Sequence, residues 1–440
     1  MVLGRRFAEL LLLALVFACL ALALVSLAGA MPAAKGSVVT VAAAFCGLFL
    51  AGHVALVVLC PDADQTLYPI AALLAALGVV FALRFDANSP GLAMKQLVWL
   101  ALGIALMAAT AGFLRRPAVL RRYQYLAAAV GVGLMAVTAV AGRQINGSRL
   151  WLGFGGYYFQ VTEALKLLLI VFLAGYLADR RFMLAATSTR WRRFRVPTLP
   201  YLVPLALIWG VTLALMAWQH DLGAMMLLMI VTLIMLYVAT ARLSFVIAGA
   251  LIVLANLWLA YHLFGYVRVR IDLWLHPLTR VHDQGYQIAQ ALYAFANGGV
   301  LGTGLGRGFP EYIPAVRTDF VFAAIGEELG IAGVLAVLAL FLLFAMRGLR
   351  IALRQPADFG MLLAGGITAI FVVQALVIMA GNLALIPITG VTLPWVSYGG
   401  SSILINFVLL GLLLRLSAAR PSERARVRPA RSVAPELVRG

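Results

Sequence analysis

Twelve largely apolar stretches run through the chain, at residues 8–30, 37–60, 67–84, 97–114, 125–142, 161–178, 199–218, 221–239, 243–265, 319–346, 360–380 and 401–416. A helix needs about 20 such residues to cross the hydrocarbon core of a bilayer. Inside lipid, only helices and closed barrels satisfy their own backbone polar groups. The pattern therefore predicts an all-α fold, a polytopic membrane bundle of about twelve transmembrane helices. Composition agrees, with 64% hydrophobic and 11% charged residues over 440, where a soluble chain is nearer half apolar and a quarter charged. Only "QHDLG" separates 199–218 from 221–239, which predicts either a tight hairpin or one broken helix. The first stretch follows Arg5 and Arg6 and runs from Ala8 to Ala30. It exceeds the roughly 7–15 residues of a signal-peptide core, so it is expected to stay as the first span.

The formal charge of +18 is concentrated in arginine clusters at 115–122, 180–195, 347–355 and 424–432, besides Arg5 and Arg6. With twelve spans these all fall on one face, which the positive-inside rule makes the cytoplasm. Both termini are expected there. Charge distributed this way argues for membrane lipids as neighbours, the basic tail lying near anionic headgroups, and against nucleic acid. Cys19, Cys46 and Cys60 sit in or beside apolar runs without metal-like spacing, and are expected to be buried, inert thiols.

Three polar segments then face the other side: 143–160, the long loop 266–318, and 381–400. In the long loop the apolar run 286–305 is broken by Gly298, Gly299, Gly302 and Gly304 and followed by Gly306, which predicts a short amphipathic or re-entrant element. Such backbone is tolerated at membrane depth only against protein or water.

Charge inside a span costs roughly 2.5–3.5 kcal/mol on insertion scales and defaults to function. In "FQVTEALKL" (159–167), Glu163 and Lys166 share a helix face and can pair, as a structural ion pair or as the charged wall of a cavity with Gln160 beside it. In "WQHDLGA" (218–224), Asp221 is either a helix cap or a polar contact in a cavity. In "RTDFVFAAIGEELG" (317–330), Asp319 is expected to open a helix. Helical spacing then brings Glu327 to nearly the same side as Asp319 and turns Glu328 elsewhere. In "PITGVTLPWVSYGGSS" (387–402), prolines and glycines prevent a regular helix, while Thr389, Thr392, Ser397, Tyr398, Ser401 and Ser402 supply hydroxyls. All four places lie at or near the same end, suggesting one outward-facing site.

These residues resemble a known family. "GYQIAQALYAFANGGVLGTGLGRG" (285–308), "RTDFVFAAIGEELG" and "PITGVTLPWVSYGGSS" together look like the SEDS proteins of shape, elongation, division and sporulation, of FtsW/RodA/SpoVE type. "NGSRLW…FQVTEALK" and "QHDLGA" match two further family segments in order, and the resemblance spans roughly 95–416. It implies a ten-helix core preceded by two extra spans, with N-terminal transmembrane helices in 1–94, the catalytic membrane region matched over 95–416, and a basic tail at 417–440. The implied activity is that of a peptidoglycan glycosyltransferase in the bacterial cytoplasmic membrane. Such an enzyme polymerises lipid II, the undecaprenyl-diphosphate-linked disaccharide pentapeptide, on the outer side during elongation or division. The implied partner is a class B penicillin-binding protein. No cofactor is certain; Mg2+ at the acidic cluster is compatible, although no metal-ligand spacing marks it. A lipid II flippase and a catalytically weak scaffold are the alternatives.

The resemblance also places a catalytic carboxylate in the long loop, to activate a sugar 4-hydroxyl. Here the family pattern is broken, because counting back from Gly285 reaches Arg280, which cannot serve as a base. Three readings remain. Asp283 performs the role; Asp272 or Asp319 does; or the chain acts through its partner. Other departures are Val161 and Thr162 before Glu163, His220 before Asp221, and Arg317 where the family has histidine.

Overall fold

The computed structural model describes residues 6–87, 91–145, 148–154, 157–186, 188–191, 194–197 and 203–418. The basic tail expected at 417–440 falls almost wholly outside them, as does Arg5.

A helix occupies each of the twelve apolar stretches. They are α1 (Phe7–Ala30), α2 (Lys35–Leu59), α3 (Leu67–Phe85), α4 (Gly91–Phe113), α5 (Gln124–Ala141), α6 (Val161–Ala186), α7 (Val203–Trp218), α8 (Leu222–Thr240), α9 (Leu243–Leu263), then, after two shorter helices, α12 (Val321–Leu353), α13 (Asp358–Asn382) and α14 (Gly400–Ser417). Among the described residues eleven of these are long and apolar enough to cross a membrane, and α7 is a shorter apolar helix. The chain is thus a multi-pass membrane protein. The long loop contributes α10 (Gly265–Leu275) and α11 (Tyr286–Gly298). Between α7 and α8 the helix breaks at His220, whose φ of 62° lies in the left-handed region. Asp221 then caps α8, so the pair is two helices rather than one bent one.

Two small antiparallel sheets qualify the all-α expectation. One has order β1-β2-β3, from Arg143–Ile145, Ser148–Phe154 and Tyr157–Gln160. The other pairs β4 (Ser188–Trp191) with β5 (Phe194–Pro197). Both lie in connections between spans, where strand pairing satisfies backbone groups that a helix would satisfy internally.

The bundle is built around α3, 89% of whose best apolar window is buried. It packs against α1, α4 and α12. Close approaches are made at glycines, such as Gly103 of α4 against the Phe407 ring of α14. By contrast α9 is only 6% buried, and its apolar surface is what a lipid-facing helix presents.

The α1–α2 pair carries its own buried polar cluster. Arg6 pairs with Glu9 and donates to the carbonyls of Cys60 (2.9 Å), Ala63 (3.2 Å) and Asp64 (3.5 Å), while Glu9 also meets His53 Nδ1 at 2.6 Å. Cys19 is exposed, Cys46 half-buried and Cys60 buried, all three as free thiols. The expectation of burial therefore fails for Cys19, which projects from the outer face of α1.

The Gly-rich stretch after α11 is not a span. Helix α12 is interrupted at Gly330, with φ 66° and ψ −165°, a combination that essentially only glycine adopts. The interruption frees carbonyls and amides that the Gly-rich loop takes up. Thr303 and Gly304 donate to the carbonyls of Glu327 and Glu328 at 3.0 Å, and Ile331 and Ala332 donate to those of Gly299 (3.0 Å) and Val300 (3.1 Å). The Gly-rich loop is thereby hydrogen-bonded along its backbone to the broken helix.

Candidate active site

A narrow cleft, with a cavity volume of about 20 Å3 and about 300 Å3 counting its open mouth, lies where α6, α8 and α13 meet the connection between α13 and α14. Its walls include Gln160, Thr162, Glu163, Lys166, Asp221, Gln374 and Thr392. Glu163 and Lys166, one turn apart at the start of α6, are both buried and pair at 2.5 Å. Lys166 also donates to Gln374 Oε1 at 2.8 Å, and Gln374 Nε2 donates to the Thr392 carbonyl at 2.7 Å. Thr392 Oγ1 meets Ser402 Oγ at 2.9 Å, and Ser402 accepts from Asn406 at 3.3 Å. One polar chain thus runs from α6 through α13 to α14, fixing the hydroxyl-rich connection.

Asp221 accepts from the Ala224 amide at 3.1 Å and from the Thr162 hydroxyl. Its second oxygen, Oδ2, is buried without a hydrogen-bond partner. Burial pushes the carboxyl above its ordinary range, opposed by those hydrogen bonds and by Arg270. Both sequence readings of Asp221 hold together, since it caps α8 and lines the cleft. Two residues on, the chain must be glycine, because a Cβ on Gly223 would lie 1.9 Å from the Thr389 carbonyl oxygen.

Asp319 sits in the turn before α12, half-buried, with Oδ2 3.8 Å from where a Cβ on Gly390 would stand. Burial raises its carboxyl, with Thr318 and Arg270 pulling the other way. The turn is pinned to the connection. Asn382 donates to the Asp319 carbonyl (2.9 Å), Ser397 Oγ to that of Thr318 (2.5 Å), and the Tyr398 amide to that of Arg317 (2.9 Å). Ser401 is half-buried in the first turn of α14.

Arg270 was not singled out by sequence. It lies on α10 between Tyr266 and Trp274, each four residues away and so on one helix face. Tyr266 donates to the Ala217 carbonyl (3.3 Å), Arg270 to that of Ile388 (3.4 Å), and Trp274 to that of Ala384 (3.0 Å). This face holds α10 against the end of α7 and the connection, and puts one cation near enough to act on Asp221 and Asp319.

Glu327 does not join that group. The helix begins at Val321, not at Asp319, so the projected shared face does not exist. Glu327 accepts from Asn297 Nδ2 (3.0 Å) and the Phe309 amide (3.1 Å). Glu328 pairs with Arg84 (2.7 Å) and accepts from the Gly306 amide (2.9 Å). Both acids secure the Gly-rich loop.

In the long loop, Arg280 pairs with Asp272 at 3.3 Å and lies 3.5 Å from Gln284 Oε1. Asp283 is exposed in the turn before α11, outside the cleft's walls, and no ion pair among the described residues engages its side chain. Among the described residues no group of three or more His, Cys, Asp or Glu side chains is placed to hold a metal ion. The arrangement therefore offers carboxylates, the Lys166 ammonium, the Arg270 guanidinium and hydroxyls around the cleft and its connection.

The family model for cell cycle proteins of the FtsW, RodA and SpoVE type matches residues 63–422. The chain belongs to this family. The match begins within the connection before α3, so α3 and α4 lie inside it. Peptidoglycan glycosyltransferase RodA of Mycobacterium leprae is 38% identical over 390 residues, covering 87% of this chain and 84% of that one. A probable peptidoglycan glycosyltransferase FtsW of Geobacter sulfurreducens is 37% identical over 286 residues, covering 64% of this chain and 74% of that one. Among solved structures, a chain from a peptidoglycan synthase complex that coordinates polymerization and crosslinking superposes with a TM-score of 0.67 at 28% identity, covering 83% of this chain and 99% of its own. The rod shape determining protein RodA of Thermus thermophilus superposes at 0.56 and 27% identity, covering 81% and 96%. The FtsW/RodA/SpoVE fold thus extends over the helices that form the cleft.

Proposed function

We propose that the cleft and the loop beside it join lipid II units into glycan strands on the outer side of the bacterial cytoplasmic membrane. The activity class is that of a peptidoglycan glycosyltransferase. The observation that carries the assignment to this end of the bundle is the gathering of Asp221, Asp319 and Arg270 on the hydroxyl-lined connection. The reaction needs a base for the attacking 4-hydroxyl and positive charge for the departing diphosphate. Arg270 supplies the charge. A divalent cation such as Mg2+ would be held between the diphosphate and one or two of these carboxylates. A polymerisation assay with a chelator tests that route.

Asp283 is the proposed base. Asp272 is committed to Arg280, Glu163 to Lys166, and Glu327 and Glu328 to the Gly-rich loop. Asp283 alone among the described loop carboxylates is exposed and outside any ion pair. Asp319 is the competing base, favoured by its place beside Arg270 and by a carboxyl raised toward the range of a working base. Full-length protein, with and without its class B penicillin-binding protein, given labelled lipid II and resolved on a gel, tests both. Glycan ladders from wild type that vanish in Asp283→Asn assign the base to Asp283. Ladders that survive there and vanish in Asp319→Asn assign it to Asp319. No ladder from wild type under any condition leaves the scaffold reading that Arg280 suggests. A flippase needs polar groups lining a path to both faces, and the cleft's charges gather near one.

A further inference from the structure

A second, larger groove lies at the same end of the bundle and plays no part in the mechanism above. Its cavity volume is about 570 Å3, within the ~300–1,000 Å3 typical of ligand sites. One wall runs from Arg84, at the end of α3, to Ala87; Met31 closes one end; residues 311–318 form the other wall.

Its chemistry differs from that of the cleft. Arg84 is consumed internally by Glu328 (2.7 Å), the Gly308 carbonyl (2.8 Å) and Glu311 (3.3 Å). Arg317 is exposed and donates to the Phe85 carbonyl at 3.4 Å. Asp86 and Glu311 supply carboxylates to the same walls. Two guanidinium groups against two carboxylates leave no cationic excess. A diphosphate would select such an excess; an uncharged chain of hydroxyls and amides would not. Apolar surface from Phe85, Pro314 and Val316 alternates with these polar groups, as suits a saccharide with apolar ring faces and polar edges.

The groove is also next to the reacting centre. Residues 315–318 line it, and the next residue, Asp319, has Oδ2 3.8 Å from where a Cβ on Gly390, a residue of the cleft wall, would stand. Consecutive Cα atoms are 3.80 Å apart, so Arg317 and Asp319 are separated by less than about 8 Å. The partition between groove and cleft is rigid. Ala315 holds φ at 55°, its carbonyl accepts from Thr318 and Asp319 (3.1 and 3.0 Å), and Ser397 and Tyr398 clamp the far side.

We propose that this groove holds the glycan strand already made, as an extended β-linked amino-sugar chain leaving the reacting centre. The proposal rests on the polymerase reading above. The groove is empty when the first two lipid II molecules couple, and filled from then on. It therefore governs how far a strand grows rather than whether a first bond forms.

The test uses full-length protein in detergent with labelled lipid II, comparing wild type with Pro314→Trp, which fills the groove, and Arg317→Ala, which removes its exposed donor. The expected result is a ratio of elongation to first coupling that falls about tenfold, the order expected for losing a charge-assisted hydrogen bond, with short products accumulating. Separately, N-acetylglucosamine tetramer is used as a soluble probe by saturation-transfer NMR, a measurement that needs no turnover. Wild type should bind it, and Pro314→Trp should not. Unchanged product lengths with unchanged probe binding overturn the proposal. So does a first coupling that falls as much as elongation, or an effect seen only with the transpeptidase present, which would make the groove a protein contact. Absence of any polymer from wild type would defeat the polymerase reading, and probe binding would still report on the groove.

Discussion

Replacing Arg84 with methionine keeps most of the side-chain volume and removes the charge. Its partner Glu328 has no exposed side-chain surface and Arg84 has 7%, so the pair is fully inside the protein. Removing one member of a buried pair costs about 3–5 kcal/mol, because the other charge is left uncompensated. The Glu328 carboxylate keeps only the Gly306 amide at 2.9 Å, and the Gly308 carbonyl loses its donor at 2.8 Å. At about 2 °C per kcal/mol, the low end for larger domains, Arg84→Met lowers the melting temperature by about 6–10 °C. The double variant Arg84→Met, Glu328→Leu removes both charges, and replacing a buried pair by apolar groups is commonly neutral. It should melt within about 3 °C of wild type by the same conversion. Thermal unfolding of detergent-solubilised protein, tracked by intrinsic fluorescence, measures all four corners of the cycle. Additive losses, with the double variant worse than either single, would refute the view that Glu328 is held ionised by Arg84.

Gly330→Ala should cost at least about 3 kcal/mol, since the backbone there is glycine-only and a Cβ would stand 2.3 Å from the Gly302 nitrogen; the same melting assay reads it. Lys166→Met strands the buried Glu163 at about 3–5 kcal/mol, whereas adding Glu163→Gln recovers stability without recovering polymer, which gel ladders and melting curves separate. Asp319 is raised by burial, so its contribution to stability is fullest below about pH 4, its unfolded range, and falls as pH rises through the folded value. Asp319→Asn should therefore gain on wild type in melting temperature as pH rises from 4 to 7; a constant gap across that range contradicts the burial argument.

The spans were legible because lipid imposes one requirement on every stretch that crosses it, and hydropathy records that requirement directly. The strands at 143–160 were less so, since Trp151, Phe154 and Tyr157 lie in a polar connection where short pairing depends on tertiary support. The Glu163–Lys166 pair could be read from helical spacing alone. The Asp319–Glu327 projection could not, because it assumed a helix starting two residues before the true start at Val321. Gln374 carried a signal that went unread, a lone amide in the apolar stretch 360–380. Arg270 carried none, since an arginine in a polar loop is unremarkable until α10 turns it toward Asp221 and Asp319.

The polar cluster at the start of the chain bears on how the protein is made. Among the described residues, the hydrogen-bond and ion-pair partners of Arg6 and Glu9 lie within the first 64 positions, ending at the Asp64 carbonyl. A ribosome has produced that set before α3 has left it. The first hairpin can thus enter the bilayer with Glu9 and His53 already matched. The rest of the bundle then assembles beside a hairpin that is electrically finished.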